Sequence, residues 1–473
     1  MTGGSVLLYV WRFVLSFVGL FLVGATLWTH KNFGNVDFEQ LIYHVQYGAN
    51  GLLEVDPARL RNFIEFTVLI PLAGAAVFTV ATSRLKSRLP LRHLHWLTAV
   101  LGVAYFLVSF SFKDFVRSYF GPDVFSSAYI DPKDVQLLPA GKQKNLVLIY
   151  VESLENAYQD PVRFGRDLLK PLTTLQQRYM SFGAYEEMPG TNWTIAGIVS
   201  TQCGLPLKVM LAPNEPGLQL RKFAPHAICL GDILAARGYE NIFMNGPDLG
   251  FARVGTFLHD HGYTRAYGSK EWIAAGEESA KTKLWGLRDD RLFAHARSEL
   301  DKLVAAGRPF NLTILTVDTH GPDGLFSEEC RRRAVRDFAG IVECSASQVA
   351  EFVEHIRAKG WLDRISIVVQ GDHLAMENPV FKKLNGDKNR RVFNLIVSDP
   401  VEAPSSPRVT HFDMFPTILE VLGLGTEAGR LGLGYCMLQR CAIPAPPVGR
   451  FAEFEAGVLN RSDVYLALWT GKP

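Results

Sequence analysis

Little in this 473-residue chain points to a polyanionic partner: 49 Lys and Arg stand against 47 Asp and Glu, a formal net charge of +2. Bulk charge therefore offers no case for nucleic acid as a partner. Cysteine is absent before position 203 and no Cys-x-x-Cys pair occurs, which argues against the common cysteine metal frameworks. No internal repeat or low-complexity run is present. Charge is also missing locally. Residues 7–28, 66–82 and 94–112 are nearly free of it, and they approach or exceed the roughly 17 residues needed to cross a bilayer.

These three segments are expected to be transmembrane helices. Arg12 lies near enough to the start of the first for its guanidinium to snorkel to the interface. The apolar run there is longer than the roughly 7–15 residues of a signal-peptide core. The second segment is short and holds Pro71, which also fits a buried core helix, but its neighbour favours a span. Residues 83–92 contain Arg84, Lys86, Arg88 and Arg92 and no acid, and cation-rich loops stay cytoplasmic. The mixed loop 29–65 suits the other side. The expected organisation is a membrane anchor over 1–112, a connector over 113–144 and an exported domain over 145–473, with 425–473 as a C-terminal extension.

All six cysteines fall in the exported part. An even set there suggests disulfides formed in an oxidising compartment. Of about 15 connectivities, pairing of sequence neighbours is expected: Cys203 with Cys229, Cys330 with Cys344, Cys436 with Cys441. Buried free thiols are the alternative.

From Asn145 onward short apolar runs alternate with longer amphipathic ones, the pattern of an α/β fold with a largely parallel sheet. Strands are expected at 145–151, 241–244, 310–317, 365–370 and 392–397, and helices at 230–237, 290–305, 345–359 and 414–422. Four strands run into residues able to do chemistry: Glu152, then Asn245-Gly246-Pro247-Asp248, Asp318-Thr319-His320 and Gly371-Asp372-His373. Ligands of open α/β sheets bind at such C-terminal strand ends.

Gly371-Asp372-His373 offers adjacent oxygen and nitrogen ligands, with Gly371 expected to let the backbone turn sharply. Read alone, it equally describes a loop aspartate and a core histidine. With Glu152 it supplies two carboxylates and an imidazole, enough for one divalent cation with a position left open. Thr194, in Gly190-Thr191-Asn192-Trp193-Thr194-Ile195-Ala196-Gly197, stands where a polar loop enters a helix. A hydroxyl there meets free N–H groups that favour anions, and a cation lowers the pKa of a hydroxyl it binds. The alternative is a plain N-cap.

These residues, in the order Val151-Glu152-Ser153, Gly190 to Thr194, Val317-Asp318-Thr319-His320-Gly321-Pro322, Gly371-Asp372-His373 and Thr410-His411-Phe412-Asp413, follow N-terminal spans. The set resembles the membrane-bound phosphoglycerol transferases, lipoteichoic acid synthases and above all the enzymes that decorate periplasmic glucans, within the alkaline phosphatase and sulfatase superfamily. The resemblance covers 145 to about 424. It implies an alkaline-phosphatase-like α/β/α sandwich behind the transmembrane anchor, in a bacterial inner membrane with the catalytic domain in the periplasm. It further implies that Glu152, Thr194, Asp372 and His373 hold one divalent ion, Mn²⁺ ahead of Zn²⁺ or Mg²⁺. Thr194 would be the nucleophile, and His320 would touch the substrate phosphate and protonate the leaving oxygen. Arg253 and Asp248 would grip the phosphate and the glycerol hydroxyls; a surface ion pair for Arg253 and a turn role for Asp248 are the alternatives. Trp285-Gly286-Leu287-Arg288-Asp289 also resembles a family stretch, read physically as a turn and helix start with Asp289 as cap.

The implied activity moves phosphoglycerol from phosphatidylglycerol, through a covalent threonine intermediate, to a glycan acceptor. A phosphoethanolamine transferase acting on lipid A is the rival, and a non-catalytic, membrane-tethered glycan-binding protein is the rival from another class. Sulfatases build their nucleophile in a Cys-x-Pro-x-Arg context, which Cys203-Gly204-Leu205-Pro206-Leu207 lacks. His411 and Asp413 invite comparison with a second metal site, against a structural or acceptor-facing histidine. Glu155 is expected to lie outside the ligand set. Phe451, Phe454, Tyr465 and Trp469 are read either as a glycan surface or as packing aromatics.

Overall fold

The computed structural model describes residues 3–48, 57–84, 92–139, 142–209, 222–281, 285–441 and 449–471. The described residues form two compact units, 3–45 with 57–117 and 46–48 with 118–471.

The first unit is helical. Val6–Phe33 and Arg59–Arg84 are each long and apolar enough to cross a membrane, and His93–Ser109 with Phe112–Ser118 is a third span only if the pair counts as one, bent by 61°. The break inside the expected span 94–112 falls at Ser111, whose φ is 53°. Buried His95 ties the helices together. Thr82 gives its hydroxyl proton to the Phe78 carbonyl at 2.8 Å, so at 3.0 Å it accepts from His95 Nε2, and Ser16 lies 2.7 Å from Nδ1.

The second unit is built on a six-stranded sheet. Its strands are β1 (Asn145–Val151), β2 (Glu240–Asn245), β3 (Arg265–Tyr267), β4 (Phe310–Leu315), β5 (Ile365–Gly371) and β6 (Asn394–Val397), in spatial order β3-β2-β4-β1-β5-β6. All pairs are parallel except β5 with β6. Strands β1, β4 and β5 end level, with Tyr150 opposite Leu315 and Val151 opposite Gly371.

Alternation divides the sheet into two faces. Val147, Ile149 and Val151 point into an apolar core with helices Asp289–Ala306 and Phe338–Ala358. The latter starts earlier than expected because Asp337 caps it, accepting from the Gly340 N–H at 2.8 Å. The opposite face is polar where it meets helix Thr194–Cys203: Gln370 donates to Thr201 Oγ1 at 2.9 Å, and Tyr263 donates to Gln202 Oε1 at 3.0 Å. These bonds answer part of the buried polarity there, while Gln370 Oε1 and Gln202 Nε2 are buried without a partner.

The three disulfides join the expected sequence neighbours. Residues 118–139 of the expected connector pack on the C-terminal extension. Phe125 is fully buried edge-on to Tyr465 at 5.3 Å, and Leu137–Pro139 pairs with Leu424–Thr426. Phe454, Tyr465 and Trp469 are buried there, which makes them packing aromatics rather than a glycan surface. Phe451 stacks with the Arg408 guanidinium at 4.1 Å.

Candidate active site

The neighbouring ends of β1 and β5 deliver Glu152, Asp372 and His373 to one point, where one ligand atom from each lies within 4.8 Å of the others. All three are buried. His373 Nε2 is 3.6 Å from Glu152 Oε1 and 3.4 Å from Asp372 Oδ2. Its Nδ1 lies 2.8 Å from the Leu374 carbonyl, so Nδ1 carries a hydrogen and Nε2 faces the carboxylates, the orientation of a metal-binding imidazole. Thr194 is the first residue of its helix, and its Oγ1 lies 3.5 Å from the same Nε2. Trp193 rather than Thr194 occupies the N-cap position, so the cap alternative does not hold.

Close backbone approach makes this convergence feasible. A Cβ on Gly197 would lie 2.0 Å from the Asp372 carbonyl oxygen, so only glycine lets the Thr194 helix sit against the end of β5. Gly371 is needed for the same reason, not for a sharp turn: its Cβ would lie 2.1 Å from the Leu154 carbonyl.

Electrostatically the cluster lacks positive charge. Burial and then the Asp372 charge push the Glu152 carboxyl up to about 8. Burial alone would lower His373, but Asp372 and Glu152 outweigh it and raise the ring above its usual value. Asp372 Oδ2 is buried with no hydrogen-bond partner. An orphaned carboxylate oxygen, crowded acids and an imidazole aimed at them fit a divalent cation well. The two other clusters of ligand type among the described residues each include cysteine held in a disulfide, so they offer no thiolate.

The surroundings hold groups that pattern reading missed. Ser153, at φ 56°, donates from Oγ to Glu152 Oε1 at 2.6 Å and from its N–H to Asp372 Oδ1 at 2.8 Å. Glu187 accepts from the Leu374 N–H at 2.7 Å. Glu155 lies outside the cluster, fully buried and ion-paired with Arg390, while accepting from the Ala375 N–H at 3.1 Å. Ser153 was visible as the neighbour of Glu152; Arg390 had no sequence signal linking it to Glu155.

The remaining expected residues sit on the next strand ends. His320 follows β4, and its Nδ1 lies 2.6 Å from the Gly321 carbonyl. Trp285 stacks on its ring with centroids 3.8 Å apart, and Phe251 meets Trp285 edge-on at 5.3 Å. Thr319 ties this loop to the cluster by donating to the Glu152 carbonyl at 2.5 Å. Asp248, after β2, accepts from the Gly250 N–H at 2.7 Å and pairs with Lys270 at 2.9 Å. Arg253 is buried, not a surface ion pair. It donates to the Lys222 carbonyl at 3.2 Å and lies over the Phe223 ring at 5.6 Å. Asp289 is not a cap either: it is the first residue of its helix and accepts across the fold from the Val317 N–H at 2.7 Å and Ser345 Oγ at 3.1 Å.

His411 and Asp413 do not form a second metal site. His411 Nε2 is 2.8 Å from the Asp372 carbonyl, and burial pushes the ring down to about 3, which keeps it neutral. Asp413 caps its helix and is gripped through both oxygens by buried Arg450, at 2.8 Å each.

Comparison with known proteins agrees with this architecture. The sulfatase family model matches residues 144–424. The chain belongs to the sulfatase family. Among curated relatives it is 34% identical over 447 residues to phosphoglycerol transferase I of Citrobacter koseri, covering 89% of this chain and 57% of that one. It is 33% identical over 459 residues to phosphoglycerol transferase I of Escherichia coli O127:H6, covering 91% and 58%. The chain thus spans under three fifths of those relatives. Among solved structures, the lipoteichoic acid synthase LtaP of Listeria monocytogenes shares the fold with TM-score 0.52 at 14% identity, covering 72% of this chain and 97% of that one. The lipooligosaccharide phosphoethanolamine transferase EptA of Neisseria meningitidis gives 0.50 at 14%, covering 87% and 84%.

Proposed function

We propose that this sulfatase-family chain is a metal-dependent transferase that moves phosphoglycerol from phosphatidylglycerol to a periplasmic glucan or another envelope glycan. The observation that carries this reading is Thr194 Oγ1 at the head of a helix, 3.5 Å from His373 Nε2 and beside the Glu152 and Asp372 carboxylates. Its relatives named phosphoglycerol transferase I support the choice of donor.

Glu152, Asp372, His373 and the Thr194 hydroxyl would hold one divalent ion, Mn²⁺ ahead of Zn²⁺ or Mg²⁺. Such an ion, when bound, neutralises charge on phosphoryl oxygens as a Lewis acid. The chain's own groups do the rest. The N–H groups of the first turn after Trp193 attract the phosphate anion. Thr194 Oγ forms a bond to phosphorus as the bond to the diacylglycerol oxygen breaks; the threonine proton is lost to water, and His320 gives a proton to the leaving oxygen. A sugar hydroxyl then bonds to phosphorus and passes its proton to His320. The bond to Thr194 breaks, and the threonine regains a proton from water. With Nδ1 donating to the Gly321 carbonyl, Nε2 is the nitrogen of His320 that exchanges protons. Arg253 and Asp248 grip the phosphate and the glycerol hydroxyls. A multi-pass anchor in the inner membrane, with the domain on the periplasmic side, keeps the site near its lipid donor and raises the effective concentration.

Full-length protein incubated with headgroup-labelled phosphatidylglycerol and a β-glucan tests this. The expected result is release of diacylglycerol, labelled glucan, and label on the Thr194 peptide when glucan is withheld. No release, or equal release by Thr194→Ala, contradicts it. Consumption of phosphatidylethanolamine alone would make the enzyme a phosphoethanolamine transferase.

A further inference from the structure

Ser153 is in hydrogen-bond contact with both carboxylates of the cluster. Its hydroxyl donates to Glu152 Oε1 at 2.6 Å and its backbone N–H to Asp372 Oδ1 at 2.8 Å. Each acid is therefore held by one oxygen, which fixes the direction of its carboxylate; in Glu152 the held oxygen, Oε1, is itself the one 3.6 Å from His373 Nε2. Asp372 Oδ2, the oxygen left without a partner, is the one 3.4 Å from His373 Nε2. The arrangement requires φ of 56° at Ser153, a conformation disfavoured for residues with a Cβ, held in a buried turn. Backbone in so sparsely populated a region persists where the surroundings over-determine it, and such residues gather at functional sites. Glu155, two positions on, leaves the same turn toward Arg390 instead, so the turn at Ser153 also sorts the two glutamates to opposite partners.

We infer that Ser153 is a positioning residue that sets the divalent-cation affinity of the site by pre-aiming Glu152 and Asp372. This rests on the cation reading of the cluster given above. An acid held by a hydrogen bond to one oxygen loses less freedom on taking up a cation, and outer partners of this kind typically contribute about 10–100-fold to metal affinity. Ser153→Ala removes the hydroxyl bond to Glu152 while keeping the backbone bond to Asp372. Ser153→Gly removes the same bond and also relieves the left-handed strain.

The test is calorimetric titration of metal-stripped, full-length protein in detergent with Mn²⁺ and separately with Zn²⁺, for wild type, Ser153→Ala, Ser153→Gly and Glu152→Gln, alongside thermal melts of each metal-free form. We expect Ser153→Ala and Ser153→Gly to bind about 10–100-fold more weakly, with Ser153→Ala melting close to wild type and Ser153→Gly no lower. Affinities within about twofold of wild type would overturn the inference while leaving the cation site standing. A drop in metal-free melting that parallels the loss of affinity would also overturn it, since Ser153 would then serve the fold and not the ion. If wild type takes up no stoichiometric ion, or Glu152→Gln binds as wild type does, the cation reading itself fails and this role with it.

Discussion

Glu152 and Glu155 leave the end of one strand on one turn, and both are buried, yet they face opposite surroundings. Glu155 meets the Arg390 guanidinium and the Ala375 N–H, so its charge is answered within the chain. Glu152 meets a second acid, Asp372, and an imidazole, and burial and that acid push it up to about 8. The same contrast recurs nearby, where Asp413 is gripped by Arg450 while Asp372 keeps a buried oxygen without a partner. Of these four acids, Glu155 and Asp413 have a guanidinium of the chain's own, and Glu152 and Asp372 do not. That deficit marks the place for a divalent ion, because a buried charge without compensation is costly to keep.

The largest expected break in this contrast is in turnover. Thr194→Ala and Glu152→Gln should each lower diacylglycerol release by about 10⁴-fold, the scale at which members of a catalytic unit fail singly. Glu152→Gln should nonetheless leave the metal-free protein at least as stable as wild type, since it removes one of two crowded buried acids; a clearly lower melting temperature would count against the crowding. Next in size, Arg390→Ala should cost about 3 kcal/mol in denaturant unfolding, because it strands a buried carboxylate. Glu155→Gln, whose amide oxygen still accepts, should cost about 1–2 kcal/mol and largely spare turnover per folded molecule. Similar loss of turnover in Glu152→Gln and Glu155→Gln would erase the distinction.

The smallest effect is a pH trend. The Glu152 pKa is raised from 4.5 to about 8, and His373 is raised as well. In both cases the folded, metal-free protein holds protons that the unfolded chain has released. Its stability should therefore fall as pH rises from about 4.5 toward 8, and Glu152→Gln should flatten the slope.

The strand ends were legible in sequence because a parallel sheet buried on both faces writes itself as short branched-apolar runs, and each run here stops at its polar residue. The grouping of Glu152, Asp372 and His373 followed from those ends. The partners of the individual acids were not legible, since Arg390 reaches Glu155 and Arg450 reaches Asp413 across long stretches of chain that carry no periodic signal. Glycine was visible but its purpose was not: Gly371 and Gly197 are demanded by carbonyls of other segments. The packing of residues 118–139 on the C-terminal extension was hidden for the same reason, as loop composition does not reveal long-range contacts.

The most direct test is the divalent-ion content of purified full-length protein, measured by elemental mass spectrometry on wild type, Asp372→Asn and Glu155→Gln. About one ion per chain in wild type and Glu155→Gln, with none in Asp372→Asn, is the result this account predicts; no ion in wild type under metal-replete conditions, or equal content in all three, would contradict it.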